Sequence, residues 1–232
     1  MKGIAVVPAK GNSERFQGKN LANLCGKPLI YHTLDALRDT FSCLLVASDA
    51  PEILKVAQGH QSVTKTFSLP SETTTGKATV LDSMVHMANN NVFDDYDYVG
   101  LFLPTCPFRD KVDVENAIEL FHENKDADGV ISTTDYEFPP TLGLVKDQDD
   151  FIHCYDHRLP WLTGNTRSQD HNEVIRPNGA VYLKHTSMFM LHKNFYKGNI
   201  VGYHMPRSRS IDIDTADDLK LAEKLLERKL KL

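Results

Sequence analysis

The sequence predicts an α/β fold with a mainly parallel sheet and helices on both faces. Three observations carry this. Apolar runs and stretches of helical periodicity alternate four times before residue 135. The apolar runs are continuous, as expected of strands buried on both faces. The chain has 232 residues, 41% hydrophobic and 25% charged, which suits one ordinary globular domain with room for an insertion.

Taken in order, residues 3–7 read as the first buried strand, followed by a polar loop from 9 to about 20. Pro28 opens a helix whose Leu29, Ile30, Thr33, Leu34 and Leu37 share a face. Residues 44–47 form the second strand, and Pro51 starts a helix carrying Ile53, Leu54, Val56 and Ala57. Residues 68–77 lack periodicity and read as a loop. A helix with Leu81, Met84, Val85 and Ala88 follows, then a strand over 99–103 stopped by Pro104. A helix over 112–121 turns Val114, Ala117, Ile118 and Phe121 inward, and 129–133 is the fourth strand. The rhythm breaks at 136–175, a stretch of prolines, aromatics and polar residues that reads as an inserted arm. The core is therefore expected at 1–135 and 176–232, with strands over 180–183 and 200–204. A last helix starts at Thr215, where Thr215 and Asp218 suggest a capping box.

Net charge is −5, so bulk charge predicts no nucleic-acid or anionic-membrane partner. The four cysteines (Cys25, Cys43, Cys106 and Cys154) form no C-x-x-C pair and no secretory signal precedes them, which points to free thiols in the cytoplasm. In a parallel sheet, ligands gather at the carboxyl ends of the strands. The loops after Val7, Ala47, Leu103 and Thr133 are thus the expected functional edge.

Four motifs fall on or near that edge. The loop PAKGNSERFQGKN, residues 8–20, holds Lys10, Arg15 and Lys19 with two glycines, the cations and close backbone approach that a triphosphate needs. It matches neither a Walker loop nor G-x-G-x-x-G, and alone reads equally as a solvated basic turn. In IDIDT, residues 211–215, Asp212 and Asp214 face one side of an extended chain and could share Mg²⁺. The competing reading is acidic helix-start chemistry. LPTCPFR, 103–109, offers Arg109 to a phosphate or carboxylate, or is simply a rigid turn. RPNGA, 176–180, offers Arg176 to a carboxylate, or is an Asn-Gly turn. His153 and His157 read as arm surface, and Trp161 as arm packing or a subunit contact.

Together and in this order, PAKGNSERFQGKNL, LPTCPFR, RPNGAVY and IDIDT resemble the acylneuraminate cytidylyltransferases, the CMP-sialic acid synthetase family, over nearly the whole chain. The resemblance implies a Rossmann-like α/β core with an inserted dimerisation arm, and a homodimer. It implies transfer of CMP from CTP to an acidic nine-carbon sugar, with Mg²⁺ and release of pyrophosphate. It assigns Lys10, Asn12, Ser13, Lys19 and Asn20 to the nucleotide-phosphate loop, and the metal to Asp212 and Asp214. Arg176, Asn178, Gly179 and Tyr182 are then expected near the sugar, with Leu103 and Arg109 beside them as substrate contacts. Lys10, Lys19 and Asp214 are expected to carry the chemistry. Lys10 stands where the family generally has arginine, Leu103 for a glutamine, Leu69 for an arginine and Thr141 for a lysine. A more apolar pocket at Leu103 would suit a deoxy or acetamido-rich sugar. Two rival readings remain: a metal-dependent glycosyltransferase with a D-x-D site, and a non-catalytic nucleotide-binding relative.

Overall fold

A computed structural model describes residues 1–230 apart from 12, 14, 75–77 and 171, and the side chains of these apart from 168, 229 and 230. The first strand, β1 (Gly3–Pro8), is buried along its whole length and sets the layering. Side chains alternate across a strand. Ala5 and Val7 therefore enter one apolar cluster, and Ile4 and Val6 the other. A polar loop and a small hairpin follow, β2 (Asn23–Leu24) with β3 (Lys27–Pro28). The chain continues through α1 (Leu29–Ala36), β4 (Cys43–Ser48), α2 (Pro51–Gln58), β5 (Lys65–Ser68) and α3 (Val80–Asn89). Next come β6 (Tyr98–Leu101), α4 (Lys111–Glu123) and β7 (Gly129–Asp135).

The stretch after residue 135 forms a separate hairpin, β8 (Leu144–Lys146) with β9 (Ile152–Cys154), and a short helix, α5 (Pro160–Thr163). The chain re-enters the main sheet as β10 (Ile175–His185), then α6 (Thr186–His192), β11 (Ile200–His204) and α7 (Ala216–Leu230). The main sheet has seven strands in the order β11-β7-β10-β6-β1-β4-β5. All pairings are parallel except those of β10, which is antiparallel to both β6 and β7. The sheet is therefore mainly parallel, and α1, α2 and α4 cover one face while α3 and α6 cover the other.

Most of the expected elements are present, with shifted ends. The third strand stops at Leu101, because Leu103–Pro104 turns away from the ladder. β5 lies inside a stretch with no apolar run. Its lysine and threonine are tolerated because it is an edge strand, with pattern KTFS and only partial burial. β10 is much longer than the expected strand at 180–183, since it opens with polar residues that pair with β7. Helix α6 has no counterpart in the sequence reading. At α7 the expected box forms: Asp218 N donates to Thr215 Oγ1 at 3.2 Å and Thr215 N to Asp218 Oδ2 at 2.8 Å.

Because β10 runs against its neighbours, its amino end meets the carboxyl end of β7. There its pairing with β7 slips between Pro177 and Tyr182. Ser132 fills the gap, accepting from Val181 N at 2.7 Å and donating to Asn178 Oδ1 at 2.6 Å. Gly179 takes φ of 79°, and a Cβ there would lie 3.0 Å from Cys106 Sγ. Glycine is thus required by conformation and by space together.

Candidate active site

The loop after β1 is shaped by its own backbone and by a neighbouring carboxylate. Gly18, at φ 68°, turns the chain into the short turn Lys19–Leu21. Asn20 is buried and its Nδ2 donates to Lys10 O at 2.8 Å, closing the loop on itself. Asp49, just past β4, accepts from Gly11 N at 2.8 Å and from Thr74 Oγ1 at 3.0 Å. Lys10 Nζ donates to Ala78 O, next to the cap of α3. The loop is therefore tied to the elements on either side before any ligand is considered.

This loop and the IDIDT segment line one cleft of about 280 Å³. Its walls include Lys10, Ser13, Arg15, Lys19, Asn20, Thr105, Asp212 and Asp214. Asp214 meets Arg15 Nη1 at 2.8 Å and Lys19 Nζ at 3.0 Å. Lys19 keeps only 11% of its side chain exposed, so this contact is largely shielded from solvent. Ile213 between the two aspartates is fully buried with Leu24, Leu29, Phe108 and Ala222. That burial turns the flanking carboxylates the other way, into the cleft.

The two carboxylates differ in surroundings. Asp212 opens onto the cleft, yet protein crowds it enough to raise its pKa, first by desolvation and then through the Asp214 charge. The Thr105 hydroxyl, Lys19 and Arg15 pull it back down. Among the described residues no cation lies within ion-pair distance of Asp212, and no set of three His, Cys, Asp or Glu converges on a common point. Two hard oxygen donors facing cationic side chains suit a Mg²⁺ that arrives with a polyphosphate.

A second pocket of about 220 Å³ adjoins the first, with Val80 and Leu103 lining both. Its wall is apolar: Leu81, Leu101, Tyr182, Phe195 and Tyr196. The Tyr182 and Tyr196 hydroxyls are 3.4 Å apart, and burial raises the Tyr182 pKa.

Of the residues the sequence singled out, Lys10, Ser13, Lys19, Asn20, Leu103, Asp212 and Asp214 meet at the first cleft, and Leu103 and Tyr182 at the second. Asn12 lies outside the described residues. Four expected site residues need correction: Arg109, Asn178, Gly179 and Arg176. Arg109 is 2% exposed and donates to Ala180 O at 2.6 Å and Thr33 Oγ1 at 2.6 Å, so it pins the turn after β6 to the core and does not face the cleft. Asn178 is 3% exposed and spends its amide on Ser132, Ala180 N and Ser210, the last at 2.9 Å. Gly179 packs on Cys106 and Leu103 behind the cleft wall. Arg176 sits on β10 with its guanidinium on Pro177 O at 3.4 Å and lines neither pocket. Leu69 is a core residue, 4% exposed, on the α3 side of the sheet. Cys106 is equally interior, its thiol pushed up to about 12 by burial, which makes it a packing group.

Sequence reading missed Thr105, Val80, Phe195 and Tyr196. The local signal was Thr79-x-x-Asp82, which encloses Val80 and caps α3, with Thr79 on the wall of the second pocket.

A family model, described as cytidylyltransferase, matches residues 4–230. The chain belongs to the cytidylyltransferase family. Among its relatives is the CMP-N,N'-diacetyllegionaminic acid synthase of Legionella pneumophila, 31% identical over 98% of this chain and 97% of that protein. The N-acylneuraminate cytidylyltransferase of Escherichia coli O18:K1:H7 is 26% identical over 97% of this chain but only 52% of its own length. The chain thus spans about half the length of that relative and nearly all of the other. Among solved structures, CMP:2-keto-3-deoxy-manno-octonic acid synthetase complexed with CTP superposes with a TM-score of 0.69. It is 16% identical over 99% of this chain and 100% of that one, a likeness of fold.

Proposed function

We propose that this cytidylyltransferase joins CMP from CTP to a nonulosonic acid, an acidic nine-carbon sugar, and releases pyrophosphate. The observation that carries the reading is the pairing of Asp214 with Lys19 and Arg15 in one cleft beside Asp212. Cations and carboxylates at contact distance are what a metal–triphosphate complex requires. The names of the relatives supply the nucleotide and the sugar class.

In this reading Lys10, Arg15 and Lys19 hold the β- and γ-phosphates, with Ser13 and Asn20 shaping the loop around them. The sugar enters from the adjoining apolar pocket. Its anomeric oxygen attacks the α-phosphorus in line, the bond from that phosphorus to the bridging oxygen breaks, and pyrophosphate leaves with the electron pair. The hydroxyl proton passes to solvent water. Asp212 and Asp214 would hold Mg²⁺, which when bound supplies neutralisation of charge on the phosphates. The apolar wall at Leu103, Tyr182 and Phe195 favours an acceptor rich in acetamido or deoxy positions, in keeping with the diacetylated product named for the L. pneumophila relative.

We further propose a homodimer built through the arm at 136–175 and residence in the cytoplasm. The arm exposes Phe151, Ile152, Tyr155 and Leu162, each at 65% or more. All four cysteines are free, as in a reducing compartment. Among the described residues no helix is long and apolar enough to cross a membrane.

The test is pyrophosphate release over four nucleotides and several acidic sugars. Release with CTP alone among the nucleotides, fastest with a di-N-acetylated deoxy sugar, is expected. A preference for plain N-acetylneuraminate overturns the pocket argument. Consumption of a sugar nucleotide without pyrophosphate overturns the reaction.

A further inference from the structure

The segment from Met205 to Asp214 carries both cleft aspartates but belongs to no strand or α-helix. Among the described residues its backbone is hydrogen-bonded to the core at two places. Met205 N donates to Thr133 O at 2.8 Å, and Ile213 N to Thr105 O at 2.9 Å. Between these points the contacts are made by side chains. Arg209 Nη1 donates to Asp113 Oδ2 at 2.6 Å and reaches Asp110 Oδ2 at 3.4 Å. Ser210 accepts from Asn178 Nδ2 at 2.9 Å.

Asp113 is unusually placed for a carboxylate. It lies in the first turn of α4 and is 1% exposed. It also accepts from Tyr203 Oη at 3.0 Å and from Asp110 N at 3.1 Å. A capping box at a surface helix needs no cation, and its acidic member is ordinarily solvated. Here the carboxylate is enclosed, and three donors converge on it from α4, β11 and the segment itself. A buried charge with a full set of donors is costly to assemble and rigid once made.

We propose that Asp113 and Arg209 are positioning residues for the active site: their ion pair holds the 205–214 segment so that Asp212 and Asp214 face the cleft together. This rests on the proposed reading of that cleft. Neither residue lines the cleft, and both act through the two aspartates. Partners that orient metal-binding groups tune metal affinity or activity by about 10- to 100-fold.

The experiment titrates Mn²⁺, as a stand-in for Mg²⁺, into the full protein with CTP and no sugar, and follows the free ion by electron paramagnetic resonance. Arg209→Gln, whose side chain is one-third exposed, is expected to fold and to raise the Mn²⁺ half-saturation about tenfold or more. Its kcat should fall, while its KM for CTP at saturating Mg²⁺ stays within about twofold. Arg209→Lys should recover part of the Mn²⁺ affinity by keeping the charge. An unchanged half-saturation in Arg209→Gln, with only a lowered Tm, overturns the proposal. Asp214→Ala serves as the reference. If it loses Mn²⁺ while Arg209→Gln binds normally, the positioning role alone fails. If Asp214→Ala binds Mn²⁺ undiminished, the reading of the cleft fails, and this inference with it.

Discussion

At the scale of single residues, Asp212 and Asp214 have different tasks in the free protein. Asp214 is neutralised by Arg15 and Lys19, whereas Asp212 faces the cleft with its pKa raised by desolvation and by Asp214. A raised carboxyl pKa means that the folded chain holds the proton more tightly than the unfolded one. Stability is therefore lost as pH climbs from the ordinary value of 3.8 through the folded pKa. Asp212→Asn should accordingly raise the Tm of the nucleotide-free protein at pH 7, and the gain should vanish below about pH 4. Asp214→Ala should retain the fold and lose roughly 10³-fold or more in kcat, the scale of a lost charge-stabilising group. Near-normal turnover would rule out its role. Arg109 makes the opposite kind of prediction. It is buried against Ala180 O and Thr33, and removing it leaves those partners unpaired. Arg109→Ala should cost about 3–5 kcal/mol in urea denaturation, as for an emptied buried site, with little change in KM for CTP. The motif by itself favoured a rigid turn with a surface arginine, and the substrate contact expected of Arg109 failed because an arginine after a strand reads the same whether it faces a ligand or the interior.

Among elements, those with strong periodicity or continuous apolar runs were legible, and those defined by their neighbours were not. β1, β4 and β7 announce themselves because both faces are buried. β5 and the first half of β10 are polar, and exist because a neighbouring strand offers free backbone groups. Helix α3 shows what local chemistry contributes. Thr79 and Asp82 form a reciprocal box beside the second pocket, with Thr79 Oγ1 accepting from Asp82 N at 3.3 Å. Thr79→Ala should lower stability by about 1 kcal/mol, read as a shift in urea midpoint at constant m.

For the whole molecule, the exposed apolar side chains gather on the 136–175 stretch and its edges, including Phe138, Leu144, Trp161 and Val174. Such a concentration calls for a partner surface. Light scattering should therefore give twice the 26.1 kDa chain mass. The double variant Phe151→Asp with Ile152→Asp should return the single-chain mass without unfolding the core, since neither side chain packs against it. An unaltered dimer would remove the arm from the interface.

By itself the sequence determined the layered α/β architecture, the capped last helix and the two clusters of opposite charge near its ends. Each of these depends on spacing of a few residues, where periodicity, caps and charge act locally. Only the tertiary structure decided that Lys19 and Asp214, 195 residues apart, share a cleft while Arg109 and Asn178 turn inward. Burial and partner choice are settled by which elements meet. That meeting depends here on β10 running against its neighbours, a reversal that no local pattern encodes.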